Sequence, residues 1–328
     1  MESLYIVGGR AKADAHLKPE WHRFERAVIL RLDLHTGGCE TCVEYETPPD
    51  ARPSDDPSIV FKAATVRGRK LYACTQTELL IYALPKFDQL AYLSLPWFND
   101  IHHVSPTSSG TLLVANTGLD MVLELTPDGR VLREWNVLGE DPWARFSRDV
   151  DYRKVTTTKP HSAHPNYVFQ LNDEIWVTRA RQRDAICLTN PARRIPIDLE
   201  QPHDGIVSNG SVYYTTVDGH VVIADFASGR QERIVDLNEI SGNGGGSLGW
   251  CRGLKLLDDG RLIVGFSRLR PTRWRENVRW VKRQLGVPAG SLPTRVAVYD
   301  IERRRLCLER TIERFGMSAI FSIHAADE

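Results

Sequence analysis

Apolar positions along the chain come in short runs, and few of them keep a helical period. Segments such as Leu112–Asn116 and Met121–Leu125 are apolar for about the length of one strand, and then a turn follows. The turns are rich in Gly, Asp, Asn and Pro, as in Thr126-Pro-Asp-Gly129, Ser208-Asn-Gly210 and Asp258-Asp-Gly260. Such runs predict strands rather than helices, and the spacing between turns predicts an all-β fold.

Four strands recur in each unit of roughly 40 residues, the period of a β-propeller blade. The second unit is the clearest, with strands over 101–105, Leu112–Asn116, Met121–Leu125 and 131–137. The first unit spans about 58–98, the third 164–199, the fourth 205–237 and the fifth 253–312. A C-terminal strand over 318–323 then joins N-terminal strands over 4–7, 27–34 and 42–46 to make a sixth blade. The expected fold is a six-bladed β-propeller closed by its N- and C-terminal strands, a closure that removes an exposed sheet edge. No blade buries its faces alone, so residues 1–328 are expected to form a single domain.

Each inner strand opens on a polar residue several positions ahead of its turn: Lys62, His102, Asn166, Asp204, Arg252 and Ser318. Propeller geometry aims this position at the central axis. The connections on the same face carry the long loops, at 10–25, 48–57, 140–159, 241–250 and 270–293. Long loops in a compact fold are mostly functional or disordered, so five on one face predict a binding surface. Within the last of them, Trp274, Val278, Val281 and Leu285 fall at helical spacing among five basic residues, predicting a short amphipathic helix over 271–286. It reads as a lid helix or as a surface for an acidic or membrane partner.

Composition narrows the field. The 42 basic and 42 acidic residues balance, so no global charge calls for nucleic acid. No apolar run approaches the roughly 18 residues of a spanning helix. Without an export signal, reduced thiols and a cytoplasmic location are expected. Cys39 and Cys42 form the only CxxC, with no second pair to complete a zinc knuckle, and read as two incidental thiols on an outer strand. Walker A, HExxH and nucleophile-elbow motifs are absent, as is a nucleotide-type GxGxxG after a strand.

The candidate chemistry lies in three histidine clusters: Asn99-Asp-Ile-His102-His103, His161-Ser-Ala-His164-Pro-Asn166 and Gln201-Pro-His203-Asp204. Neighbouring strand residues face opposite ways, so His102 is the axial member of its pair. Each cluster also reads plainly as hydrogen-bonding between blades. Their recurrence on three consecutive blades favours a site. The expected metal ligands are His102, Asn166, His203 and Asp204, with His164 as an extra one. Lys62 and Arg252 are expected to stabilise negative charge, and His103 or His164 to shuttle a proton. Asp100, Asn116, Arg179 and Ser318 complete the rim as substrate-binding candidates. His324 falls on the opposite face.

At Pro202-His-Asp-Gly-Ile206 and Cys251-Arg-Gly-Leu254 the chain resembles the six-bladed propellers of the NHL, SMP-30/gluconolactonase and strictosidine-synthase-like group. Their blades often open with a polar residue, a Gly and an aliphatic. The resemblance covers nearly the whole chain as architecture, through short motifs. For the SMP-30/gluconolactonase members it implies a divalent metal, often calcium, held on the axis by Glu, Asn and Asp. Asn166 and Asp204 match two of those types. No Glu occupies the ring, where Lys62 and Ser318 stand instead. The chain's own histidines suit zinc or iron, or acid–base work without metal. The resulting expectation is a hydrolase or lyase acting on a small oxygen-rich or anionic molecule, with zinc, iron or calcium as candidate cofactor. The rival is a non-enzymatic propeller that binds a protein or glycan through its elaborated face.

Overall fold

The structure, a computed structural model, describes residues 3–242, 247–269 and 292–326. The helix expected over 271–286 lies outside the described residues, as does part of the loop at 241–250. Among the described residues, twenty-four strands form six four-stranded antiparallel sheets, and the helical segments are single turns. The molecule is a six-bladed β-propeller.

The blades follow the chain. The first has strands Thr65–Arg67, Lys70–Cys74, Leu79–Ala83 and Asp88–Leu93; the second Ile101–Pro106, Leu112–Asn116, Met121–Leu125 and Val131–Asn136. Blade three runs from Pro165 to Pro196, blade four from Pro202 to Asp236, and blade five from Trp250 to Thr311. In the sixth sheet Ala319–Ala325 pairs with Ser3–Ala11, followed outward by Phe24–Asp33 and Cys39–Tyr45. The two CxxC thiols are free, and they pack on different sides of this blade. Cys39 lies against the cluster shared with blade five and Cys42 against the one shared with blade one.

Why the strands read as continuous apolar runs is evident from the packing. Each blade is sandwiched between two others, so both faces of its strands are buried. Leu112 and Val114 pack with Leu79 and Ile81 of blade one, whereas Leu113 and Ala115 pack with Val168 and Val177 of blade three. Phe169 and Trp176 meet Val212 and Tyr214 between blades three and four. Val221 and Ile223 meet Leu262 and Val264 in the next gap. Ile263 and Val298 meet Leu4 and Val28, and Tyr5 and Ile29 meet Leu71 and Leu80, which completes the ring. Six gaps thus hold six apolar clusters.

The inner strands share a further feature. Five of the six shift register near their start: at His102, across Asn166–Tyr167, across His203–Asp204, at Gly253 and at Phe321. A bulge bends a strand and re-aims a side chain. In blades two, three, four and six the unpaired stretch holds the residue that faces the axis, whereas in blade five the bulged Gly253 directly follows the axial Arg252. Blade one reaches the axis with Lys62, just ahead of its inner strand. The Lys62 amide donates to Cys74 O and the Ala63 amide to His102 O, at 2.8 and 3.0 Å.

Candidate functional site

Lys62, His102, Asn166, His203, Arg252 and Phe321 surround the axis. The His102 ring lies 4.7 Å from that of His164 and 5.8 Å from that of His203, centroid to centroid. The His203 ring is 6.0 Å from Phe321. Above Phe321 sit both cations, Lys62 Nζ at 5.0 Å and the Arg252 guanidinium at 4.6 Å from the ring centre.

One half of the ring is internally saturated. His102 Nδ1–H donates to Asn166 Oδ1 at 2.5 Å, and Asn166 Nδ2 donates to Pro202 O at 2.9 Å. His102 Nε2 then lies 3.2 Å from Asp100 Oδ1 and accepts from Lys62 Nζ at 3.4 Å. The same ammonium donates to Asp100 Oδ1 at 3.2 Å. Burial, together with the Lys62 charge, lowers the His102 pKa to about 4 against the pull of Asp100. Burial pushes Asp100 upward, but Lys62 and His102 outweigh it and hold the carboxyl well below its ordinary range.

The other half is open. His203 is 3% exposed. Its Nδ1–H donates to Asp204 Oδ1 at 3.0 Å, while Nε2 is buried with no partner among the described residues. Asp204 Oδ2 is turned away from the axis, accepting from the Gly253 amide and from Thr215 Oγ1. Burial and the nearby Arg252 lower the His203 pKa, against Asp204, so the imidazole is neutral. Arg252 Nε is likewise buried without a partner. A base nitrogen and a guanidinium nitrogen, both unsatisfied, therefore border the same aromatic floor.

Loops complete the mouth. Lys159 Nζ pairs with Glu20 at 2.8 Å, and the Lys159 charge holds the Glu20 carboxyl well below its ordinary value. A cleft above the axis is lined by Glu20, Lys62, Asn99, Asp100, Thr157 and Lys159. Beside its Asp100 stand His161 and His164, from the loop between blades two and three, Nδ1 to Nδ1 at 2.7 Å. Asp120 places them: its carboxylate accepts the amides of Ser162, Ala163 and His164 at 2.7, 3.0 and 2.8 Å.

The remaining candidates lie elsewhere. His103 points between blades, where Nδ1 accepts from the Val168 amide at 3.3 Å and Nε2–H donates to Thr65 Oγ1 at 3.1 Å. Asn116 staples a loop, accepting from the Asn99 amide and donating to Trp97 O. Arg179 forms a two-pronged pair with the buried Asp184 at 2.9 and 2.6 Å. Ser318 Oγ accepts from the Ala11 amide, and the sixth ring position belongs to Phe321. Of the four expected metal ligands, only His203 offers an unengaged donor atom to the axis. Charge-based reading passes over Phe321. Glu20, Lys159 and Asp120 carry no local signal at all, since distant segments bring them in. His161 shares its segment with His164 and is the one omission the sequence could have supplied.

No family model matches the chain, and no curated protein does. Among solved structures, a protein of unknown function from Bacteroides caccae has a TM-score of 0.60 at 15% identity, covering 98% of both chains. That likeness is to the fold. Virginiamycin B lyase from Staphylococcus aureus, in an inactive form solved with quinupristin, scores 0.44 at 12% identity, covering 64% of this chain and 67% of that one. A chain of the mitotic checkpoint complex scores 0.48 at 7% identity over 86% and 71%. Neither of these two carries an argument about this chain. The similarity to the NHL and SMP-30 propellers likewise goes no further than six-bladed architecture. Among the described residues, no helix is long and apolar enough to cross a membrane.

Proposed function

We propose that this propeller is an enzyme, a lyase or hydrolase, acting on a small oxygen-rich anion at the loop-side end of its axis. The observation that carries the reading is the bare Nε2 of His203, oriented through Nδ1 by Asp204 and set beside the unpartnered Arg252 Nε. A neutral imidazole held by a carboxylate is a general base, and the carboxylate stabilises the imidazolium that forms. His203 takes a proton from a substrate carbon in the lyase case or from water in the hydrolase case. Arg252, with Lys62 beside it, faces the negative charge that then develops on a substrate oxygen. Phe321 supplies an apolar floor that keeps these charges strong.

Thermal-shift screening with small carboxylates, sugar acids, lactones and phosphate monoesters tests the reading. One class should stabilise the protein, and Arg252→Gln should remove that stabilisation. With the ligand so found as substrate, His203→Asn should retain binding and lose turnover by at least about 100-fold, the usual worth of a general base. Ligands that bind Arg252→Gln as well as the parent would overturn it. So would a screen in which no class binds, the outcome a partner-binding propeller predicts.

A further inference from the structure

His161 and His164 meet nitrogen to nitrogen at 2.7 Å, and an oxygen of Asp100 joins them, with all three donor atoms within 4.8 Å of one another. We propose that Asp100, His161 and His164 bind one divalent transition-metal ion of the zinc class. The site is separate from the His203 base and stands independently of it.

The hydrogen-bond chemistry around His161 supports this. Thr158 Oγ1 lies 2.5 Å from Gly118 O and 3.3 Å from Asn99 Oδ1, both acceptors, so its proton is committed to one of them. Its oxygen must then accept from His161 Nε2, 3.2 Å away. That fixes the proton of a neutral His161 on Nε2 and leaves Nδ1 as a lone pair aimed at His164. A histidine whose far nitrogen donates to a fixed oxygen is the usual arrangement of a metal ligand. Donors bound at about 2.0–2.2 Å to a tetrahedral ion stand roughly 3.3–3.6 Å apart, so the two imidazole nitrogens, now 2.7 Å apart, would open by under about 1 Å around an ion, with Asp100 already within 4.8 Å of both.

Placement and charge agree. Asp120 holds the Ser162, Ala163 and His164 amides, so the loop bearing both imidazoles is preorganised. Asp100 and His164 both adopt left-handed backbone, φ 46° and 59°, which non-glycine residues rarely take. The Lys159 charge nearby is matched by Glu20, while Lys62 shares the Asp100 carboxylate at 3.2 Å. Two imidazoles and one carboxylate suit Zn(II), Co(II) or Fe(II) better than calcium, which prefers an all-oxygen shell. Three protein ligands leave at least one position of a tetrahedral ion open.

Cobalt(II) is the probe. Chelator-treated full-length protein, titrated with cobalt chloride, should take up one equivalent and develop visible ligand-field absorption. His161→Ala and His164→Ala should each abolish it. Thr158→Val, which removes the oxygen that fixes the His161 proton together with the hydroxyl's own bond to Gly118 O, should weaken binding about 10- to 100-fold. His203→Asn should leave binding unchanged, which separates this site from the proposed base. Zinc should also raise the melting temperature of the parent protein, a readout that survives if a histidine variant fails to fold. Absence of saturable one-equivalent binding by the parent, or its persistence in both histidine variants, would overturn the proposal and leave an imidazole–imidazole hydrogen bond.

Discussion

His103 shows how little a residue type says about its role. It neighbours the axial His102 in sequence, yet it joins three blades, accepting from Val168 of the third and donating to Thr65 of the first. Burial lowers its pKa to about 4. The unfolded chain would protonate it near its ordinary value of 6.5. Between those limits the unfolded state binds more protons, so stability is complete above pH 6.5 and falls as pH drops toward 4. The loss should amount to at most about 3 kcal/mol for this residue. Denaturant unfolding at a series of pH values checks it: in His103→Gln the decline over that window should be shallower than in the parent. At the catalytic candidate the sign is the same. His203 is neutral when folded, so kcat/KM should stay level through neutral pH and fall only on the acid side.

At the scale of the element, the bulge does the aiming. Gly253 is the bulged residue of the fifth inner strand, with φ 80°, and its amide donates to Asp204 of the fourth blade. A Cβ there would lie 2.9 Å from Ile323 Cγ1. Gly253→Ala should therefore destabilise the fold by about 1–3 kcal/mol and misalign the His203–Asp204 pair. Calorimetry reads the first effect, and loss of turnover with ligand binding retained reads the second. The loop at 161–164 depends on Asp120 in a similar way. Asp120→Asn keeps the shape but weakens three amide bonds and the pair with Arg145 at 3.0 Å. Amide hydrogen exchange at 162–164 should accelerate while the strands of blade two remain protected. Counting back from the turn put Ser318 in the ring, but the blade-six strand starts only at Ala319, and it is Phe321, left unpaired by the register shift, that lies with Lys62, His203 and Arg252.

The whole molecule is a ring in which every blade is core for its neighbours. Ile320 lies on the C-terminal inner strand, is fully buried, and packs with residues of blades five and six. Ile320→Ala should cost about 2–5 kcal/mol, the range for a large-to-small change in a packed core. Urea unfolding followed by tryptophan fluorescence should show the loss as a lower midpoint. The elaborated face is also a property of the whole. Glu20 and Lys159 lie far apart in the chain, yet they pair at the mouth of the axis, because the loop of blade six and the loop after blade two rise on the same side.

Sequence alone determined the six-blade architecture and the strands of each blade, because a strand buried on both faces must read as an apolar run between turns. It also determined that histidines gather near the start of three consecutive inner strands. Only the tertiary structure decided which atoms of those histidines are free. His102, His103 and His203 are alike in the sequence, and each is a buried imidazole beside an inner-strand bulge. Their partners differ: Asn166, Asp100 and Lys62 for the first, Thr65 and Val168 for the second, Asp204 alone among the described residues for the third. Most of those partners come from other blades, whose register against one another no local pattern encodes.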